Sequence, residues 1–200
     1  MPTRNITTKL AITGESECRN SLKKINSEYS TLKSQLALVQ SQFKDNANSM
    51  EALEAKGQAL NAMYEAQKKK VETLQSALEN AKRAQTAHAQ TSDDLRKQLA
   101  EARAEMEKLK NSTGDTAEEQ AALEKRIGEL NAALAESEAK EEAAARGVNS
   151  YQKQANLAQA GLNDLSREID QNNQYLDEAK KSADGCATSI DQYGKQVKEA

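Results

Sequence analysis

The chain has no tryptophan, and only one phenylalanine, one proline and one histidine in 200 residues; aromatic residues make up 3% of it. So few large rings exclude the aromatic core of an ordinary globule. So little proline leaves long helices uninterrupted. The two cysteines, Cys18 and Cys186, are too few and too far apart for a disulfide framework or a zinc site. No apolar run approaches the length of a membrane span, and no secretory signal opens the chain. The expected compartment is therefore a cytosol, which empties "NIT" at Asn5 and "NST" at Asn111 of meaning as glycosylation acceptors. An excess of one charge is missing too. There are 28 basic and 31 acidic residues, interspersed, for a net charge of -3. Nothing forms the basic stripe that phosphate contacts require, so direct nucleic-acid binding is not predicted. There is no phosphate-binding glycine loop and no nucleophile elbow, and one histidine cannot build a metal or catalytic cluster within one chain. The residues predict no enzyme activity and no cofactor.

What is present is alanine, glutamate, lysine, leucine and glutamine, with 30% of residues charged. That composition belongs to long helices and coiled coils. The first fourteen residues differ. In "RNITTKLAIT", Ile6, Thr8, Leu10 and Ile12 alternate as in a strand. An isolated strand is not stable, so residues 1–14 are expected to pair with another chain or to move.

From Cys18 onward, steps of four and three residues trace one stripe. It runs through Leu22, Ile25, Tyr29, Leu32, Leu36, Val39 and Phe43, then Asn46, Met50, Leu53, Gly57, Leu60, Tyr64 and Gln67. It continues through Val71, Leu74, Leu78, Ala81, Gln85, His88, Ser92, Leu95, Leu99, Ala102, Met106 and Leu109. The same count passes Thr113, Thr116 and Gln120 and lands on Leu123, Ile127, Leu130 and Leu134. It then takes Ser137, Glu141, Ala144, Val148, Tyr151, Ala155, Ala158, Leu162, Leu165, Ile169, Asn172 and Leu176, and finishes on Ala179, Ala183, Cys186, Ile190, Tyr193, Val197 and Ala200. Most of these positions are apolar, against 37% for the whole chain. A sustained 3.5-residue repeat predicts a left-handed coiled coil with the stripe as an oligomer seam. Leucine and isoleucine occupy both classes of seam position, and the bulky tyrosine and phenylalanine positions suit more than two strands, which points to a trimer.

The stretch "NSTGD" at 111–115 admits two readings. Gly114 is able to end one helix, and Asp115 with Glu118 spells a capping box that starts another. The chain would then fold back as a helical hairpin. Yet the seam keeps its phase across this stretch, and two helices joined by a free loop share one phase by chance about one time in seven. Phase therefore favours an all-α parallel coiled-coil rod over residues 15–200, on the order of 280 Å long as one helix, with a weak point at 111–120. The hairpin at 111–115 is the alternative. "YGKQVKEA" ends in mid-pattern, as the leading piece of a longer protein would.

The remaining candidates for chemistry have plain structural readings. His88 falls on the seam between Gln85 and Ser92, where a polar layer fixes register. The competing reading is a ring of His88 side chains around an oligomer axis, binding a metal. Cys18 and Cys186 read as small buried residues or, after exposure to air, an interchain disulfide. Glu136, Glu138 and Glu142 read as a solvated helix face, and Glu141 as a weak seam position.

Two stretches suggest more than a generic coil. "RNITTKLAITGESECRNSLKKINSEYSTLKSQLALVQSQFKDNANSMEALEAKGQALN", followed by "KKKVETLQSALENAK", resembles the opening of tail tape measure proteins of long-tailed bacteriophages and prophages. "REIDQNNQYLDEAKKSADGCATSIDQYGKQV" is similar to the segment that follows in them. The resemblance covers residues 3–82 and about 163–197. Residues 83–150 resemble the family only as coiled coil. It implies a structural protein in the lumen of the tail tube, assembled in the host bacterial cytoplasm. There its helical length sets tail length, and it leaves ahead of the DNA at ejection. It also implies the tail tube protein, tail assembly chaperones and distal tail or baseplate proteins as partners. The chain is short for the family and lacks the apolar and hydrolytic regions of longer members, so those activities do not carry over. A cytosolic coiled-coil scaffold unrelated to phage, or a tail protein with a catalytic domain farther on, stays open beside it.

Overall fold

Why the helices stop where they do explains the architecture. The computed structural model describes residues 15–112 and 116–199; the strand-like segment expected at 1–14 lies outside them. The described residues form an all-α protein without a strand: α1 (Glu15–Gln42), α2 (Met50–Lys110) and α3 (Ala117–Glu199).

The rod expected from residue 15 onward is broken twice. The first break follows Gln42. Lys44 N bonds Ser41 O at 3.4 Å, Asn46 N bonds Phe43 O at 3.0 Å, and Ser49 N bonds Asn46 O at 2.9 Å. These tight three-residue steps cannot continue an α-helix. The run "KDNANS" favours them because Asp, Asn and Ser side chains compete with the helical backbone for hydrogen bonds. Ser49 then caps α2. Its Oγ accepts from Ala52 N at 3.2 Å and its carbonyl from Leu53 N at 3.0 Å.

The second break is the one that the sequence left open. Asn111 N and Ser112 N bond back three residues, to Lys108 O and Leu109 O, and Asn111 Nδ2 donates to Glu107 O at 2.9 Å. Lys108 and Lys110 face the negative end of α2, and Glu118 and Glu119 face the positive end of α3. The first carbonyl to accept inside α3 is that of Thr116, bonded by Gln120 N at 2.9 Å. That is one residue beyond Asp115, the cap expected from the sequence, which lies outside the described residues. Gln120 Nε2 donates to Thr116 Oγ1 at 2.8 Å. It also reaches Leu109 O at 3.5 Å, which ties the start of α3 to the end of α2.

The chain divides into two compact units. The unit built on Gln75–Lys153 is a two-helix hairpin, and this corrects the parallel rod. Ala102, Met106 and Leu123 form its core near the turn, flanked by Leu109, Ile127 and Leu130. Farther from the turn Arg103 reaches Asn131, and Arg96 reaches Glu138, so residue numbers fall on α3 as they rise toward the turn on α2. The physical reason is tethering. A short loop costs little closure entropy and holds the second arm at high effective concentration. The shared phase of the two arms is not needed for this pairing, because each arm only has to turn its own stripe inward.

The other unit combines Cys18–Leu74 with Gln154–Ala200. Here α1 joins the antiparallel pair of α2 and α3. Leu60, Met63 and Leu165 form the core, and Tyr29, Leu32 and Leu36 of α1 pack on it with Tyr64 and Ile169.

From Leu22 to Ala179, apart from the turn around Asn46, most of the stripe read from the sequence turns inward within these units, and from Ala183 to Val197 it is exposed. Ile25, Val71, Leu74, Leu78, Leu99, Leu123 and Leu165 are buried. Leu22, Leu32, Leu36, Leu95, Leu109, Ile127, Leu130, Leu134, Leu162, Ile169 and Leu176 are half-buried.

Candidate functional site

The buried polar groups are the most specific chemistry in the molecule. Gln67 of α2 donates from Nε2 to the carbonyl of Ala158 on α3, at 2.7 Å. The amide fits there because Gly161 has no side chain: a Cβ at that position would lie 2.9 Å from Nε2. The reciprocal contact runs the other way. Asn172 of α3 donates from Nδ2 to Leu53 O of α2 at 2.8 Å, over Gly57, where a Cβ would come within 3.1 Å. Each helix thus supplies one amide and one glycine. Asn172 is 1% exposed, and its Oδ1 has no hydrogen-bond partner.

The hairpin has its own polar layer. Ser92 Oγ donates to Ser137 Oγ at 3.0 Å, and Ser137 Oγ donates to the carbonyl of His88 at 3.1 Å. The polar seam layer expected around Gln85, His88 and Ser92 is centred on serine hydroxyls, and His88 contributes its backbone. The imidazole stands half-exposed. Among the described residues no group of histidine, cysteine, aspartate or glutamate is placed to hold a metal ion.

Three of the four carboxylates named from the sequence, Glu136, Glu138 and Glu142, lie on the surface beside cations. Glu136 meets Lys140 at 2.6 Å and Glu142 meets Arg146 at 2.6 Å, each one helical turn apart. The Lys140 hydrogen bond and charge hold the Glu136 carboxyl below its ordinary range. Glu138 crosses the hairpin to Arg96 at 2.8 Å, and Arg96 also holds Asp93 at 2.8 Å. Both acceptors raise the Arg96 guanidinium above its already high value, Glu138 first. Glu141 is half-buried. Cys18 is half-buried and Cys186 exposed, so only the first fits the small buried residue expected of both.

Two grooves flank the hairpin near its turn. One, of about 500 Å³, is lined by Arg103, Met106, Glu107, Lys110, Glu124 and Ile127. The other, of about 410 Å³, is lined by Glu105, Leu109, Glu119, Ala122, Leu123 and Arg126. Each mixes apolar floor with charges of both signs, which suits a protein surface better than a small charged substrate. No helix among the described residues is long and apolar enough to cross a membrane.

The glycine–amide contacts escaped the sequence reading. Gly57, Gln67 and Asn172 were visible there only as polar or small interruptions of an apolar stripe. The available signal was a glycine on the stripe of one helix and an amide on the stripe of another. It becomes readable only once the two are known to run antiparallel.

The chain has no match among family profiles, characterised proteins or solved structures. What fold and site define is a class: an all-α protein whose buried polar side chains serve helix pairing.

Proposed function

We propose that this chain is a non-catalytic structural module of a phage tail, a segment of a tape measure protein. The structural half of the reading is carried by one observation. Gln67, Ser92, Ser137 and Asn172, the buried polar side chains among the described residues, bond to a facing helix or to each other across the helix pair. The phage half rests on the resemblance of residues 3–82 and 163–197 to the opening of tape measure proteins.

The hairpin changes what this segment contributes to a ruler. A helix advances about 1.5 Å per residue only while it keeps its direction. Within Gln75–Lys153 the chain doubles back, so residues there do not add linearly to length. We assign this hairpin to docking within the tail, with its grooves meeting tail proteins, and length counting to other parts of the protein. The test is an in-frame deletion of residues 93–106 together with 123–136 from the intact tail gene, which removes two heptads from each arm and keeps the turn between them. Electron micrographs of assembled tails should show unchanged length. Shortening by about 1.5 Å per deleted residue would restore a ruler here. If the gene can be removed without any tail defect, the coiled-coil scaffold unrelated to phage replaces the phage reading.

A further inference from the structure

The hairpin does not need a property that its two arms share. They pair whatever the phase between them, yet the stripe counts through the turn unbroken, by Met106, Leu109, Thr113, Thr116, Gln120 and Leu123. Unbroken phase matters when α2 and α3 run on as one helix, because both stripes must then lie along one line. The register says what such a helix would meet in a second copy. Ser92 and Ser137, bonded at 3.0 Å, lie equally far along the chain from the Gly114–Asp115 junction. Met106 and Leu123 of the hairpin core do so too, and so do Gly57 and Asn172 in the other unit. Every stripe position from Met50 to Ala179 is mirrored about that junction by another stripe position. Two straight copies related by a two-fold axis there would repeat these pairs between chains, residue i meeting j and j meeting i.

We propose that the chain has a second, open form, an exchanged antiparallel dimer with another copy of itself. In it α2 and α3 of each copy run on as one helix through residues 111–116. Each arm then takes from the other copy the contacts that the hairpin makes within one chain. Ser92 bonds Ser137 of the second copy, Arg96 meets its Glu138, and Gly57 makes room for its Asn172. α1 keeps to the α2 that follows it, and Leu165 reaches Leu60 and Met63 from the other copy. A parallel pair in register loses all of these contacts and sets Gly57 on Gly57, Asn172 on Asn172 and Glu141 on Glu141. The turn sets the balance between the two forms. Asn, Ser, Thr, Gly and Asp at 111–115 are poor helix formers, and Thr113, Thr116 and Gln120 give the dimer a polar centre. In the hairpin Thr116 Oγ1 and Gln120 Nε2 each donate to Leu109 O at 3.5 Å instead. Closure within one chain competes at an effective concentration that is roughly millimolar for a short tether. The closed hairpin is therefore the form at low concentration, and exchange belongs to chains that fold crowded together. This inference rests on no part of the phage reading, because a purified chain tests it.

The full chain is refolded from urea at micromolar and at roughly millimolar concentration, and the products are separated by size. The concentrated sample alone should yield a dimer. After dilution that dimer should return to monomer slowly, because α2 and α3 must part before each arm closes on its own chain. Two alanines inserted between Gly114 and Asp115 separate the two forms. In a continuous helix they turn the α3 stripe about 200° from that of α2, so the dimer should be lost. The hairpin only gains a longer loop, and its monomer should keep the native helix content and urea midpoint. Seven inserted alanines restore the phase and should restore the dimer. The arrangement is read with spin labels at Arg96→Cys on one copy and Glu138→Cys on the other, each with Cys18→Ser and Cys186→Ser, mixed before refolding. The dimer should place the two labels within about 25 Å of each other. Concentrated refolding that gives monomer alone, or a dimer that forms equally with two inserted alanines, overturns the continuous helix. A dimer whose two labels stay farther apart joins closed hairpins by another surface and overturns the exchange.

Discussion

Gln67 and Gly161 fit as a side chain and the space made for it: the Gln67 amide bonds Ala158 O at 2.7 Å, and a Cβ on Gly161 would sit 2.9 Å from its nitrogen. The contact opposes two effects of known size. Replacing glycine by alanine inside a helix ordinarily gains about 1 kcal/mol. Here the new methyl pushes Nε2 off its carbonyl and leaves a buried donor and acceptor apart, a loss of about 1–3 kcal/mol.

Gly161→Ala is therefore expected to be destabilising or neutral, whereas Gly128→Ala, with nothing within 4 Å, should stabilise by about 1 kcal/mol. Urea denaturation of the two variants compares them directly. Equal stabilisation by both would show that the Gln67 contact carries no weight.

Asn172 gives a sharper case because a single-atom change reverses its role. Asn172→Asp removes the Nδ2 donor and sets a carboxylate against Leu53 O in a buried site. At pH 7 the loss should be about 3 kcal/mol or more. Burial and the facing carbonyl favour the protonated acid, so its folded pKa lies above the unfolded value of about 3.9. The neutral acid can donate to Leu53 O, and the deficit relative to the native protein should shrink below about pH 4 and grow as pH rises. Urea midpoints at pH 3.5 and pH 7 measure it. Asn172→Leu should cost about 1 kcal/mol, far less than Asn172→Asp at pH 7: it loses the hydrogen bond to Leu53 O but also removes the buried, unpartnered Oδ1.

The limits of the sequence are visible at these same residues. Periodicity fixed which side chains turn inward, from Ile25 to Leu165, because the 3.5-residue stripe depends only on local helix geometry. It did not fix what the stripe faces. A tethered arm and a second chain present the same apolar surface, so unbroken phase through Thr113, Thr116 and Gln120 read as a rod where α3 turns back along α2. The break at Phe43–Ser49 is invisible to the stripe for a related reason. Phe43, Asn46 and Met50 keep the count, while Ser49 and the Asx-rich run before it decide the backbone. The glycine–amide layers depend on antiparallel register, which periodicity does not contain.

Tyr29 supplies a pH test of how α1 sits on its unit. Burial, and then the nearby Glu168 charge, raises its phenol above the ordinary value of about 10. A raised pKa means that the folded state holds the proton more tightly. The resulting stabilisation is complete below about pH 10 and is lost as pH rises through the folded pKa. The stability gap between the native protein and Tyr29→Phe should be constant from pH 7 to 9 and should move against the native protein above pH 10. A gap that stays flat to pH 11 would place Tyr29 in ordinary solvent, away from Glu168.

The hairpin itself is open to a distance measurement. Arg96 and Glu138 are 42 residues apart in sequence and their side chains meet at 2.8 Å. As parts of one straight helix they would be about 63 Å apart, at 1.5 Å per residue. Paired helices pack with axes about 8–10 Å apart, so spin labels at these two positions should report a separation below about 25 Å. The labels go on Arg96→Cys and Glu138→Cys, with Cys18→Ser and Cys186→Ser to remove the native thiols. The surface ion pair lost in the process is a small contribution to the fold. Dilution with unlabelled chain separates the arms of one molecule from contacts between molecules. A short distance that survives dilution belongs to a single chain folded on itself. A short distance that disappears on dilution, leaving a value near 60 Å, would mean that each chain is extended and meets other copies, as a rod does, instead of folding on itself.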